Sequence, residues 1–544
     1  MAGRVFVYGL DGVPLWFLKI AAKEGYISTI SQLMESGVYG VLNAIPPIET
    51  PPNWYSAFTG VDPGTHGIIG FFTIDNQYKF RYYSARDRKV DPVWVILSRY
   101  GKKSIVVNVP LTYPPDKING FMVGDDERYG APMKEHVYPE YIYDIVKKAK
   151  NLVDIYMENT PEKALEKLYE NIVRRGEAVR KLMERLDWDL VIVVYREPDY
   201  VMHKFLGLEK IPGGDLEAKR KYSKVPHKVL SLLNDELNKY MELLDPNDHI
   251  IIMSDHGHMP RKYKFSINLF LQNNAGMVRL KYGNHRGRII KTGTFRKYNL
   301  IKKIWYRTPY GVRLKIKQIL LKIAEFDKGV NPETIDWDKT IAVCYKKVGT
   351  VKINLMGRDE KGIVPVEDYN EVVNRIKRIF MEENKRRIRN GESPLIRNVY
   401  SIRELYKEYD DPWYPDLIIV PHNNIAIDIR FNGNNILRRM ETNISENRSL
   451  TYVENISEHA PEGMYVFHGP AFKNMGLGPS LNMMDIAPYI LYLLNVPIPS
   501  YIRGKVNKEI IDSKWIASNP LKVVSSRKYE VKLRIKAIRK KLNK

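Results

Sequence analysis

Short, unbroken apolar runs that end at a carboxylate are the strongest pattern in the chain. Val5-Phe6-Val7-Tyr8 leads to Asp11 in Gly-Leu-Asp-Gly. Leu190 to Tyr195 leads through Arg196-Glu197-Pro198 to Asp199, with His203 four residues on. Ile250-Ile251-Ile252-Met253 leads to Ser254-Asp255-His256-Gly257-His258. Runs without polar alternation read as parallel strands buried on both faces. Between them the apolar positions fall at helical spacing. Pro14 to Glu35 reads as helix around Ile20 and Ile30 to Leu33, and Asp91 to Tyr100 as helix with Pro92 in its first turn. Thr160-Pro161-Glu162 is a helix start, with Leu165, Leu168, Ile172 and Val179 carrying the pattern to about Leu186. A further helix is expected from Asp215 to Leu244, ending in Asp245-Pro246-Asn247. Val38 to Leu42 reads as an edge strand and Ser104 to Val109 as a strand. Strand alternating with helix predicts an α/β fold, a doubly wound, mostly parallel sheet with helices on both faces. Right-handed crossovers would bring Asp199 and Asp255 to one rim, where such sheets bind ligands.

The second half breaks this rhythm. Strands are expected near Ile341 to Tyr345 and Val351 to Leu355, and a helix from Val366 to about Asn384. Pro415 to Val420 reads as a return to the core sheet, and Met464 to Phe467 as its last strand. The expected organisation is a core over 1–270 and 416–518, an inserted cap-like α+β region over 271–415, and a basic helical tail over 519–544. No internal repeat or long linker interrupts it.

Composition adds three constraints. Hydrophobic content of 44% and charged content of 27% over 544 residues are those of a globular protein. The single cysteine, Cys344, excludes an intramolecular disulfide and any metal site built on several thiolates. The net charge of +23 is concentrated in two places. Residues 286–328 carry thirteen Lys or Arg against two acids, and 521–544 carry ten against one. In the tail, Val531, Ile535, Ile538 and Leu542 share one helical face amid basic residues, a pattern that fits an anionic membrane surface and equally a helix docked on the core. The chain opens directly into a strand, and no apolar run reaches the roughly 18 residues of a membrane helix. A cytoplasmic protein, peripheral at a membrane if the tail attaches, is expected. Low Cys with abundant Lys, Arg, Tyr and Ile suits a thermophile.

Candidate chemistry centres on Ile48 to Phe72. Thr50 precedes Pro51-Pro52, which suit a helix's first turn, so Thr50 is expected at the N-cap, where anionic groups are favoured. Alone, this reads as a capped helix through Trp54 and Phe58 that stops near Gly60. Three Asp and two His at strand ends change the reading to a two-metal site with a hydroxyl beside it. The series Gly-Leu-Asp-Gly, Glu-Thr-Pro-Pro-Asn-Trp, Thr-Gly, Pro-Gly-Thr-His-Gly, Asp-x-x-x-His and Ser-Asp-His-Gly resembles the alkaline phosphatase superfamily, within it the type I phosphodiesterase/nucleotide pyrophosphatase branch. Ile335-Asp336-Trp337, Ile353 to Arg358, Glu458 to Gly463 and Asp485-Ile486-Ala487-Pro488 extend the resemblance over about residues 3–508.

The resemblance implies one divalent metal on Asp199, His203 and His459, and a second on Asp11, Thr50, Asp255 and His256. Oxygen and imidazole donors without thiolate point to zinc or manganese. It further implies attack by Thr50 on phosphorus and a phospho-threonine intermediate. Backbone N–H groups at the helix start are expected to cradle an oxygen of the substrate. Asn53, one turn on, is assigned to the phosphate or to an exposed polar face. His66 is assigned to the turn, and His258 is a candidate for contact with the site. His459, in His-Ala-Pro-Glu-Gly, is preferred over His468 as the late ligand. One departure bears on substrate: relatives usually carry an Asn shortly after the His-Gly-Ile turn, where this chain has Ile69-Gly70-Phe71-Phe72. That puts nucleotide pyrophosphatase activity in doubt and leaves metal-dependent phosphoester hydrolysis. Phosphodiesters are expected to outrun monoesters, because Glu49 and no cation flanks Thr50 in sequence. The alternatives are a phosphomonoesterase or phosphotransferase of the same superfamily and, from another class, a nucleic-acid- or membrane-binding protein using the basic segments. No P-loop or dinucleotide fingerprint is present, and no sulfatase nucleophile context.

Overall fold

Val5–Leu10, Leu190–Tyr195 and His249–Met253 are buried at every position and form the centre of a ten-stranded sheet. The computed structural model describes residues 3–125, 132–149, 155, 158–281, 330, 332–409, 411–431 and 435–525. Within the sheet, Val5 is in parallel register with both Leu190 and His249, so the three strands end level with one another. On one side follow Ser104–Val107 and Gly120–Val123, both parallel, and then antiparallel Val137–Tyr138. On the other side Glu462–His468 runs antiparallel to His249–Met253 and to Val38–Asn43. The sheet is mostly parallel, as its unalternating apolar strands require. Val38–Asn43 is not an edge strand, because Gly476–Leu477 and Leu481–Asn482 pair along its outer side.

Helices pack on the sheet where the apolar periodicity places them, with instructive breaks. Pro161–Met183 is capped by the Thr160 hydroxyl. The expected single helix over 14–35 is two, Leu15–Lys23 and Ser28–Glu35, because Gly25 takes a left-handed φ of 78° between them. The helix expected over 215–244 is likewise Leu216–Tyr222 and Val225–Met241. Pro226, in the second helix's first turn, has no N–H to continue the first.

The described chain divides into two compact units. The first comprises the described parts of Met1–Phe71, Tyr83–Pro260 and Glu441–Lys544; the second, those of Phe72–Tyr82 and Arg261–Met440. The expected insertion covered only 271–415. The second unit is built on a four-stranded sheet ordered Ala342–Cys344, Thr350–Ile353, Leu417–Pro421, Ile396–Ser401, with the helix Tyr369–Arg389. Leu417–Pro421 therefore does not return to the core sheet. Asp416, just before it, accepts the Ile353 N–H at 2.6 Å and pairs with Arg358 at 2.8 Å, which anchors this strand in the second unit. The early hairpin Phe72–Ile74 and Phe80–Tyr82 joins the same unit through Tyr78, which stacks on Trp337 at 4.0 Å and donates to Asn354 Oδ1 at 2.7 Å.

Near the expected boundary at Asn519-Pro520 the chain continues into Val523–Val524, which pairs in parallel with Ile498–Pro499. The basic stretch 286–328 and the tail beyond 525, on which the membrane and nucleic-acid readings rest, lie outside the described residues. Among the described residues no helix is long and apolar enough to cross a membrane.

Candidate active site

The three level strand ends deliver their carboxylates to one rim. Asp11 follows the first strand and is pinned by its N–H to Tyr195 O at 2.9 Å. Gly12 then turns with φ +76°; a Cβ there would meet His258 Cδ2 at 2.9 Å and the Asp199 Cα at 3.0 Å. Only glycine allows the Asp11 turn to approach the other two loops so closely. Its N–H donates to Asp255 Oδ1 at 3.2 Å, and the next N–H, of Val13, donates to Ser254 Oγ at 2.8 Å. Asp199 and His203 stand at i,i+4 on one face of the helix Glu197–Phe205. The late histidine arrives by a separate two-stranded ribbon: Gly257–Pro260 pairs antiparallel with Ser457–Ala460, which sets His459 directly opposite His258.

Thr50 enters from the helix Thr50–Thr59, which ends at Gly60 in the left-handed conformation. The N-cap is Glu49, in extended conformation and without a side-chain capping bond, so Thr50 is the first helical residue and not the cap. Because Pro51 and Pro52 have no N–H, the expected anion cradle reduces in this first turn to the N–H of Thr50 itself. Thr50 Oγ1 is buried, 3.3 Å from His256 Nε2 and 3.5 Å from Asp11 Oδ1.

Asn53 requires a correction, because it is neither exposed nor aimed at a phosphate. It is fully buried; its amide N–H groups reach the carbonyls of Ile45, Pro47 and Glu49 at 3.1–3.3 Å, and its oxygen accepts the Ile45 N–H at 2.7 Å. Its role is to hold the loop that presents Thr50. Asn53→Ala is expected to cost about 3 kcal/mol of stability by leaving buried backbone groups unpaired. An unchanged melting temperature in that variant would contradict this role.

Two groups of donors result, Asp11, Asp255 and His256, and Asp199, His203, His258 and His459. In the first, His256 Nε2 lies 3.3 Å from Asp255 Oδ2 and 3.6 Å from Asp11 Oδ1. In the second, Asp199 Oδ1 lies 2.8, 3.2 and 3.5 Å from Nε2 of His258, His459 and His203. The tautomers follow from the opposite ring nitrogens. Nδ1 donates to a backbone oxygen in His203 (Ser457, 2.8 Å), His459 (Ile48, 2.9 Å) and His256 (Gly257, 3.1 Å), which leaves the lone pair on Nε2. Nε2 of His203 and of His459 then face each other at 3.1 Å, an arrangement of two acceptors that needs a proton or a cation between them.

The charges carry the same requirement. Burial, together with the Asp199 charge, pushes Asp11 up to about 7, and burial with Asp11 and Asp199 holds Asp255 well above the ordinary carboxylate range. Burial opposes a charge on His459, yet the hydrogen bond and charge of Asp199 push it up to about 9. Burial keeps His203, His256 and His258 neutral, the ligand form, His258 down to about 3. Converging carboxylates and imidazole lone pairs with so few donors among them suit divalent cations.

Of the other residues weighed in the sequence, His66 is buried with Nε2 3.0 Å from Ser56 Oγ and Nδ1 accepting the Ile68 N–H at 3.1 Å, within the turn. His468 pairs with Ile250 near the start of a strand whose far end carries Asp255, so it stands away from the rim. One candidate for contact joins the site, and two neighbours come to it without a sequence assignment. His258 belongs to the second group. The Trp54 indole donates to Asp11 Oδ2 at 3.1 Å, under Gly9, where a Cβ would meet the ring at 2.6 Å. Arg196 places Nε 3.9 Å from Asp11 Oδ2 and Nη1 3.7 Å from Asp125 Oδ2, over the Phe71 ring. Its position directly after an apolar strand was the only sequence signal for it.

Residues 5–438 match the family model described as Type I phosphodiesterase / nucleotide pyrophosphatase. Every proposed ligand except His459 falls within that span. Among solved structures, phosphonoacetate hydrolase from Sinorhizobium meliloti 1021, in complex with phosphonoformate, is similar over 91% of this chain and 96% of its own, at 14% identity and a TM-score of 0.50. That likeness establishes the alkaline phosphatase-like fold. Murine ectonucleotide pyrophosphatase/phosphodiesterase 5, in complex with AMP, aligns over 94% of this chain and 100% of its own, at 15% identity and a TM-score of 0.48. No curated protein matches the chain in sequence.

Proposed function

Because the chain belongs to the type I phosphodiesterase/nucleotide pyrophosphatase family, whose members are phosphoester hydrolases, we propose that it cleaves phosphodiesters with Thr50 Oγ1 as the nucleophile. The observation that carries this is a buried hydroxyl 3.3 and 3.5 Å from His256 and Asp11, two members of one of the two groups of side chains that could hold a metal ion. Asp11, Asp255 and His256 with Thr50 would hold one divalent cation, and Asp199, His203 and His459 another, zinc or manganese by donor type. The cation beside Thr50 would supply the Lewis-acid charge that ionises the hydroxyl, and the positive charge of the second would help to offset the negative charge on the phosphoryl oxygens. The chain's own part is positioning. Trp54 and the Gly12 turn fix Asp11, Asn53 fixes the loop before Thr50, and the Ile48 carbonyl ties that loop to His459. Thr50 Oγ1 bonds to phosphorus as one ester oxygen departs; water then takes the place of Thr50 on phosphorus and the hydroxyl is restored.

A diester fits better than a monoester, since the residues flanking Thr50, with Glu49 buried and accepting the Phe71 N–H at 3.3 Å, offer no cation for a second negative charge on the substrate. The second reading, a phosphomonoesterase or phosphotransferase, is favoured by one observation, the guanidinium of Arg196 on the far oxygen of Asp11. The absence of a flanking cation in the sequence did not anticipate it. With zinc or manganese added, kcat/KM for an aryl phosphodiester is expected to exceed that for the matching monoester. A monoester preference that disappears in Arg196→Ala would overturn the substrate class.

A further inference from the structure

From the second donor group we infer that His258 is a fourth protein ligand, so that the Asp199 cation sits in a closed three-histidine, one-carboxylate site. The inference rests on the reading that these groups hold metal. A tetrahedral zinc with bonds of roughly 2.0–2.1 Å separates its donors by about 3.3 Å. Here Asp199 Oδ1 lies 2.8, 3.2 and 3.5 Å from three Nε2 atoms, and two of those nitrogens are 3.1 Å apart. The His258 ring stands nearly perpendicular to those of His203 and His459, at 88° and 80°, with centroids 4.5 and 5.2 Å away, so the three imidazoles approach a common centre from different directions. Its Nδ1 lies 3.2 Å from Ser457 Oγ; with that hydroxyl accepting, Nε2 turns a lone pair to the cation in place of the hydrogen bond that its 2.8 Å distance to Asp199 Oδ1 otherwise allows. Ser457 thus orients two ligands, His258 through its hydroxyl and His203 through its carbonyl. The ribbon register that sets His258 opposite His459, and the glycine at position 12 that makes room for its ring, build the arrangement into the fold.

The two sites are then unequal. Both groups offer four side chains, but the one around Asp199 has a carboxylate and three imidazoles, whereas the other counts the Thr50 hydroxyl, a neutral and weaker donor, as its fourth. The site whose fourth donor is a neutral hydroxyl is expected to release its metal first. The wild-type protein, loaded with zinc and dialysed against a chelator of graded strength, is expected to lose one equivalent early and the second only at much higher chelator activity. His258→Gln keeps a polar side chain beside Ser457 and Asp199 but removes the imidazole. It is expected to weaken the tight site by more than about 100-fold, beyond the 10–100-fold typical of an orienting neighbour. Cobalt substituted into the tight site of the wild type should give an intense tetrahedral d–d spectrum that inorganic phosphate does not perturb, a readout independent of any variant's folding. A cobalt spectrum that phosphate shifts, or one left unchanged by His258→Gln, would overturn the fourth-ligand assignment alone. A wild type that binds no metal would overturn the functional reading with it.

Discussion

Thr50→Ala is expected to lower kcat for an aryl phosphodiester by roughly 10³-fold or more, equivalent to about 4 kcal/mol of barrier. The nucleophile is lost while both groups of Asp and His remain. The helix should survive, because its N-cap is Glu49 and the Thr50 hydroxyl makes no capping bond. Thr50→Ser keeps an oxygen on the same Cβ position and should retain a large part of the rate, which a purely structural threonine would not predict. Steady-state kinetics on both variants with circular dichroism as the control would check this. Wild-type activity in Thr50→Ala would remove the nucleophile from the account.

The second large effect concerns metal. Asp255→Ala with His256→Ala removes two of the three carboxylate and imidazole donors beside Thr50. The purified double variant is expected to hold one divalent cation fewer than the wild type and to lose activity with it, while the Asp199 group keeps its own. Chelation of the wild type should lower the melting temperature as well as the rate. A ligand that binds only the folded state stabilises it, by about 2.7 kcal/mol at a hundred times its dissociation constant. Removing it also leaves buried Asp11 to be pushed up by burial and the Asp199 charge, and buried Asp255 by burial and the charges of Asp11 and Asp199. Equal metal content in wild type and double variant would contradict the ligand assignment, and a rise in melting temperature on chelation would contradict the charge argument.

Legibility from the sequence followed the range of the interactions involved. Asp11, Asp199 and Asp255 were visible because each comes within four residues of the end of a strand buried on both faces, and parallel register brings those strand ends level. Thr50 was visible through its prolines, but its place as first helical residue was not, since a cap is one backbone rotation away from a first turn. Asn53 was misplaced because its partners are backbone carbonyls of a loop whose path the local pattern does not encode. Arg196 and His258 depend on approach between segments far apart in the chain, in the second case on a glycine turn and on a serine about two hundred residues away. The second unit was the least legible. An apolar run such as Leu417–Pro421 shows burial without naming its partner strand, and Tyr78 joins Trp337 and Asn354 across more than 250 residues.

The most direct test of a threonine nucleophile is stereochemical. Each in-line displacement inverts phosphorus, so transfer through Thr50 followed by hydrolysis inverts it twice. Hydrolysis of a phosphorothioate diester chiral at phosphorus, in heavy-oxygen water, is predicted to proceed with overall retention of configuration. Overall inversion would show that water attacks phosphorus directly and would contradict the account.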